Sequence, residues 1–123
     1  MKIIKLIALI LMALFMIYGG VNHFLNPAFY DAFMPDFFPK LLANYASGAV
    51  EILLGVGLFI PKFRSQAAWG ILILMLIFLP LHVWDLFREQ PAIGSQQAAM
   101  IRVPVQFLFI GWAYWLTRSP KEE

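Results

Sequence analysis

The sequence has no cysteine among its 123 residues and few charged side chains. Without cysteine, the chain cannot form disulfides, thiolate nucleophiles, cysteine-ligated zinc sites or iron–sulfur clusters. Charged residues make up 13% of the chain and hydrophobic residues 62%, whereas soluble domains are usually ~25% charged. A chain this short cannot bury that much apolar surface in one core. Its composition therefore excludes a soluble enzyme and predicts an integral membrane protein.

Positive charge is also scarce. Nine basic and seven acidic residues give a net charge of +2, and they are scattered along the chain. Binding to nucleic acid needs a clustered basic surface, so we expect no nucleic-acid partner. The sequence has no phosphate-binding glycine loop, dinucleotide fingerprint or nucleophile elbow, and no paired-histidine spacing typical of zinc sites. We therefore predict no metal.

Four apolar runs are close in length to the about 20 residues that a helix needs to cross a bilayer core. They cover residues 6–24, 41–60, 67–84 and 98–117. The sequence thus predicts an all-α fold, a transmembrane four-helix bundle in which residues 1–123 form a single membrane domain. A secretory signal peptide is the alternative for the first run, because a basic N-terminus precedes an apolar stretch; three spans would remain.

Basic residues predict how the bundle is oriented. They lie before the first span, between the second and third, and after the fourth: Lys2, Lys5, Lys62, Arg64, Arg118 and Lys121. The other two connections have no basic excess. Because positively charged connections stay in the cytoplasm, we predict an inner-membrane protein with both termini cytoplasmic.

The connection between the first two spans interleaves aromatic and acidic residues, which is typical of a segment lying in the membrane interface. Asn26 before Pro27 predicts the start of a short interfacial helix, with Asn26 as its cap, and Pro35 limits its length. This segment either covers the outer mouth of the bundle as a fixed amphipathic element or forms a mobile lid over a ligand site.

Two charged residues interrupt the spans, Glu51 in the second and Arg102 in the fourth. Glu51 lies on a row of small residues spaced by four, so this row should face neighbouring helices. We expect Arg102 to reach inward and form a buried ion pair with Glu51, with Gln106 one turn further bridging the two. The alternative is that Arg102 extends outward to the headgroups while Glu51 stays protonated.

Histidines bring further polar groups to the same level. His23, preceded by Asn22, closes the first span, and His82 closes the third. Asp85 follows His82 by one turn and can accept a hydrogen bond from its ring. Such histidines are either structural hydrogen-bonding residues or part of a ligand site.

A proline lies inside each of the last two spans, Pro80 and Pro104, and each leaves a backbone carbonyl without its helical donor. In lipid that carbonyl needs another partner. We therefore expect the outer half of the bundle to hold a wet or ligand-filled cavity, and the inner half, rich in leucine and isoleucine, to be dry.

Three motifs along the chain are Asn22-His23-Phe24, Ser47-Gly48-Ala49-Val50-Glu51 and Arg102-Val103-Pro104-Val105-Gln106. With this order over nearly its whole length, the chain resembles the DoxX family of small four-helix membrane proteins. The resemblance implies a polar cluster of His23, Glu51, Arg102 and Gln106, with Asn22 beside it. One departure is His82, because the family pattern tends to have asparagine two residues after the proline of the third helix.

The resemblance also implies a link to membrane-bound oxidoreductase systems, and to assembly of other membrane proteins among distant relatives. Our leading hypothesis is an accessory subunit of a membrane redox system that binds a quinone or another hydrophobic ligand; a membrane redox protein would be its partner. The ligand cluster would be Asn22, His23, Glu51, His82, Arg102 and Gln106.

The alternative hypothesis is a non-catalytic assembly or structural protein in which the same cluster serves packing alone. Proton or small-solute transport ranks last, because spans one and three have no polar residues in their inner halves. Whether the protein catalyses a reaction, and whether it forms a homo-oligomer, stays open at this point.

Overall fold

The computed structural model describes residues 2–118, which fold into four long α-helices and one short one. In chain order they are α1 (Ile3–Leu25), α2 (Pro27–Asp31), α3 (Lys40–Phe59), α4 (Arg64–Leu86) and α5 (Gln96–Thr117). The long helices have 20 to 23 residues and a mean hydropathy of 1.3 to 2.3, enough to cross a membrane. The predicted bundle and the short helix after its first span are confirmed. Each predicted span matches one long helix to within three residues at either end.

The short helix α2 differs from its prediction in two details. Asn26 stands at its N-terminal cap position and Pro27 in its first turn, but the Asn26 side chain makes no capping hydrogen bond. Instead its Nδ2 donates to Asn22 Oδ1 at 2.7 Å. The helix ends at Asp31, before Pro35 can limit it, and turns lead from there to α3.

The long helices pack mainly as two antiparallel pairs, α1 against α3 and α4 against α5, with α3 also contacting α4. Within the described residues, α3 and α5 are not neighbours. Glycines explain the close approach of α1 and α3. A Cβ on Gly20 would lie 2.6 Å from the carbonyl oxygen of Gly48, and one on Gly48 would lie 2.7 Å from that of Gly20. Only glycine at both positions lets the two backbones meet so closely.

The two ends of the bundle differ in character. The end where α1 and α5 bring the termini together, here called the terminal end, contains the apolar core. Its buried side chains include Leu9, Met12, Leu58, Ile71 and Leu116. The opposite end, here called the α2 end, is where α1 finishes and α3 begins. The apolar core thus lies at the terminal end, and a dry interior there stays a prediction.

Two polar contacts connect α1 to α5 at the terminal end. Lys5 is only 2% exposed, and its Nζ donates to the Arg118 carbonyl oxygen at 2.6 Å. The indole nitrogen of Trp112 donates to the Ala8 carbonyl oxygen at 3.1 Å. Lys121, which we used to predict the orientation, lies outside the described residues.

Candidate functional site: a cavity at the α2 end

A cavity of about 410 Å³ lies between the long helices at the α2 end. This volume falls within the roughly 300–1,000 Å³ of small-molecule sites. Its walls are mostly apolar and include seven aromatic residues: Phe15, Tyr18, Phe29, Tyr30, Phe33, Phe38 and Phe78. Four predicted polar residues also line it: His23, Glu51, His82 and Arg102. The cavity combines an apolar body with a few polar groups, as ligand sites do.

Helix α2 and the turn after it cover the cavity by packing on both neighbouring helices. The ring of Tyr30 stacks on the ring of His23 with their centres 3.7 Å apart. Phe33 meets the His82 ring edge-on at 5.8 Å. The Asn22 side chain donates to the Tyr30 hydroxyl at 2.9 Å, and burial raises the pKa of that phenol above its ordinary value. Tyr30 is therefore neutral at physiological pH.

Glu51 lies near the middle of the membrane-spanning region and is 7% exposed. It is the twelfth residue of α3, about 16 Å along the helix axis at 1.5 Å per residue. Helical side chains tilt toward the helix N-terminus, which for α3 is the α2 end. This tilt carries the carboxyl group to His23, whose Nε2 lies 2.7 Å from Glu51 Oε2. This distance is that of a close polar contact, although the angles at the two atoms are not those of a well-aligned hydrogen bond.

The other ring nitrogen of His23 is held by Asn44, a fully buried residue of α3. His23 Nδ1 lies 3.0 Å from Asn44 Oδ1. Asn44 Nδ2 donates to Asp31 Oδ1 at 2.6 Å and to the Pro27 carbonyl oxygen at 3.2 Å. A carboxylate and a carbonyl only accept, so the amide nitrogen of Asn44 must face them and its oxygen must accept from His23. The proton on His23 is thereby fixed on Nδ1.

With the Nδ1 proton directed at Asn44, Nε2 and Glu51 Oε2 would face each other with lone pairs only 2.7 Å apart and repel each other, so we infer one proton between them. If the proton is on Nε2, an imidazolium faces a carboxylate; if it is on the carboxyl, a neutral imidazole accepts from it. The two arrangements have the same net charge of zero. Movement of the proton within the pair leaves the net charge unchanged, whereas donating it to a ligand would leave a charge of −1 on the pair.

Arg102 extends into the bundle, but it does not pair with Glu51. Its guanidinium carbon lies 5.5 Å from the ring centre of Phe109, which is seven residues nearer the terminal end. The side chain therefore runs inward instead of outward to the headgroups. Its Nη1 is buried and has no hydrogen-bond partner among the described residues.

The predicted ion pair between Glu51 and Arg102 was therefore wrong. Glu51 has His23 as its ionic partner in the described part of the chain. The physical reason is the arrangement of the helices. The glycine contact brings α1 against α3, so an α1 residue reaches Glu51 first, whereas α5 is not a neighbour of α3.

The predicted bridging role of Gln106 was wrong for the same reason. Its Nε2 donates to the Met75 carbonyl oxygen of α4 at 2.8 Å, and its Oε1 is buried without a partner in the described residues. The Met75 carbonyl is next to that of Leu76, which Pro80 leaves without its helical donor. Gln106 thus holds α5 to α4 at the proline instead of lining the cavity.

The predicted hydrogen bond from His82 to Asp85 was also wrong. Asp85 accepts from the backbone nitrogen of Ala92 at 2.6 Å and from that of Ile93 at 3.4 Å, and Arg88 Nη1 lies 3.4 Å away. These contacts fix the connection between α4 and α5. The His82 ring is free to face the cavity.

Sequence reasoning missed three residues of the site: Asp31, Tyr30 and Asn44. Asn44 lies on the same face of α3 as Gly48 and Glu51, and this helical spacing was a signal that could have found it. Nothing local predicts the contact of Asp31 with Asn44, 13 residues away. Among the described residues that line the cavity, Asn22 is not included. It donates a hydrogen bond to Tyr30, which does line the cavity.

Comparison with known proteins gives one family. The profile of the family described as "Domain of unknown function (DUF8561)" matches residues 12–117. The resemblance to the DoxX family is not supported by a family match. No curated protein and no solved structure matches the chain. The chain, a small multi-pass membrane protein with four candidate spans, belongs to the DUF8561 family.

Proposed function

We propose that this protein binds a hydrophobic small molecule with an oxygen-bearing head group in the cavity at the α2 end. One observation carries the proposal: an aromatic-walled cavity of about 410 Å³ in a lipid-embedded bundle has charged side chains in its wall. Charged groups inside a membrane are costly and mark functional pathways or sites. The rings would hold the apolar body, and Arg102 and the histidines would bind the head.

A quinone fits this donor set, because its carbonyl oxygens accept hydrogen bonds and its ring can pack between aromatic side chains. Arg102 Nη1 is the donor without a partner among the described residues. Redox chemistry would belong to the quinone, while this chain would bind and orient it. In this specific form the protein would be an accessory subunit of a membrane redox system, as the DoxX resemblance implies.

The orientation belongs to the same proposal. With the basic connections at the terminal end, both termini lie in the cytoplasm and the cavity opens toward the outer half of the inner membrane. A hydrophobic ligand would then enter from lipid or from the outer interface.

Native mass spectrometry of protein extracted in mild detergent tests the proposed function. We expect a bound small molecule in the wild type and its loss in Ala43→Trp, because a large ring at this wall position fills the cavity. Ala46→Trp is the matched control, since Ala46 is exposed one turn away on the same helix and should keep the ligand. If neither added quinone nor any other hydrophobic ligand binds the wild type, the proposed function is wrong.

An assembly or structural role is the second candidate. The observation in its favour is that the chain Asp31–Asn44–His23–Glu51 is connected within the protein itself. In that case Glu51→Gln lowers the melting temperature, while Ala43→Trp has no effect on any bound molecule. Ligand loss in Ala43→Trp with an unchanged fold would exclude this candidate.

A further inference from the structure

The charged groups in the cavity wall do not balance. Among the described residues, four acidic, basic or histidine side chains line the cavity: His23, Glu51, His82 and Arg102. His23 and Glu51 sum to zero wherever their shared proton lies. His82 is neutral or positive. Arg102, which cannot lose its proton in proteins, leaves at least one positive charge in the wall.

Acidic residues near the cavity have other partners. Asp85 is fixed to the α4–α5 connection and to Arg88. Asp36 pairs with Lys40 at 3.4 Å. Asp31 accepts a hydrogen bond from Asn44, and it is not among the described residues that line the cavity. In this part of the chain, no carboxylate forms an ion pair with Arg102.

A guanidinium held inside a membrane bundle needs compensation. Its Nη1 is shielded from solvent and unpartnered in the described residues, and its charge lies over the face of Phe109. A cation–π contact offsets only a small part of the desolvation cost of a buried charge. A neutral ligand would give Arg102 Nη1 a hydrogen-bond acceptor but leave the positive charge of the guanidinium unbalanced. An anion would provide the acceptor and also neutralise the charge.

We propose that the ligand is a lipophilic carboxylic acid with a single chain or ring system, bound as its carboxylate by Arg102. This inference rests on the proposed function and narrows the head group. A carboxylate carries one charge, equal to that of Arg102, and its two oxygens match the planar guanidinium. A phosphate monoester carries about −1.5 to −2 and would overcompensate the site. A single chain with one carboxylate suits a cavity of about 410 Å³.

Equilibrium binding to nanodisc-embedded protein tests the inference with four probes of equal or similar chain length: dodecanoate, dodecan-1-ol, dodecyl phosphate and a decyl-substituted benzoquinone. Empty nanodiscs measure partitioning into lipid. We expect dodecanoate to bind at least about tenfold more tightly than the alcohol, as hydrogen bonds to charged groups allow. In Arg102→Gln this preference should fall below about twofold. Lys62→Gln, which removes an exposed cation at the terminal end, is the matched control and should keep the preference.

Arg102→Met provides a second variant in case Arg102→Gln does not fold, and it should lose the preference in the same way. Equal binding of acid and alcohol by the wild type overturns the inference, and so does a preference that survives both substitutions. Tighter binding of the phosphate or of the quinone than of dodecanoate also overturns it, but leaves the proposed function standing. Binding of none of the four probes contradicts the proposed function itself.

Discussion

At the scale of single residues, the site depends on one buried amide. Asn44 contacts an acceptor on α2 and the imidazole of α1, so it determines which nitrogen of His23 carries the proton. The choice follows from Asp31, whose carboxylate only accepts. Glu51, the residue that the sequence makes most conspicuous, is thus held by a chain of contacts that begins at the membrane interface.

Replacing Asn44 with leucine tests this residue-level account. Asn44→Leu keeps a similar volume but leaves His23 Nδ1 and Asp31 without their partner. Each buried group left unsatisfied costs about 1–3 kcal/mol, so the melting temperature in detergent should fall clearly. The ¹⁵N spectrum of the imidazole should show Nδ1 fully protonated in the wild type and only partly protonated in Asn44→Leu.

Gln97→Leu is the control, because the Gln97 side chain is exposed at the start of α5, away from this chain of contacts. A surface change of this kind should stay within about 0.5 kcal/mol. An unchanged imidazole spectrum in Asn44→Leu would contradict the assigned proton position.

At the scale of helices, the contact between α1 and α3 decides the geometry of the cavity. Gly20 and Gly48 let the two backbones touch, and this contact places His23 opposite the face that bears Asn44 and Glu51. α2 then completes the site from above through Tyr30. Gly20 and Gly48 therefore affect the site indirectly. By letting α1 approach α3, they determine which residue lies next to the Glu51 carboxyl group.

Gly48→Ala tests the helix contact. The new Cβ would lie 2.7 Å from the Gly20 carbonyl oxygen and 2.9 Å from the His23 Cβ, so the helices must separate. We expect a loss of about 1–3 kcal/mol, the usual cost of overpacking, measured by thermal unfolding in detergent. Gly111→Ala is the matched control, because nothing lies within 4 Å of its added Cβ. It should leave stability unchanged or raise it by up to about 1 kcal/mol. Equal effects of the two changes would show that the glycine contact does not hold the pair.

A separate experiment tests whether the contact of Asp31 with Asn44 holds α2 over the cavity. Asp31→Ala removes the acceptor that holds α2 to Asn44, so backbone hydrogen bonds such as Met34 N to Asp31 O should open more often. Hydrogen–deuterium exchange of residues 29–34 should become faster by about tenfold if one hydrogen bond to a charged group is lost. Asp36→Ala serves as control, since Asp36 is exposed, pairs with Lys40 and should leave these amides unaffected. Unchanged exchange in Asp31→Ala would mean that α2 is held by its aromatic contacts alone.

At the scale of the whole molecule, the chain has a polar, aromatic-walled half and an apolar half, inside a shell of apolar side chains exposed to lipid. The two halves differ because Glu51, Arg102 and both histidines line the cavity at the α2 end, while the buried apolar side chains of the core pack at the terminal end. The orientation of the bundle decides which side of the membrane the cavity faces: with cytoplasmic termini it would lie in the outer half.

The absence of cysteine makes that orientation directly measurable. In Asp36→Cys the new thiol lies at the α2 end, and in Lys62→Cys at the opposite end, both at exposed positions without any background thiol. With cytoplasmic termini, a membrane-impermeant maleimide added to spheroplasts should label the first variant and leave the second unlabelled until the membrane is permeabilised. Labelling in the reverse order would place both termini outside.

Composition and helical spacing alone determined the membrane class, the four spans and the inward face of Glu51. These properties are local: each follows from the residues of one segment and the period of a helix. Only the tertiary structure decided which groups meet. Depth in the membrane made Arg102 as plausible a partner for Glu51 as His23, but the backbone contact at Gly20 and Gly48 makes α1, not α5, the neighbour of α3. A sequence fixes how deep a side chain lies, whereas the packing of helices around one another fixes what it touches.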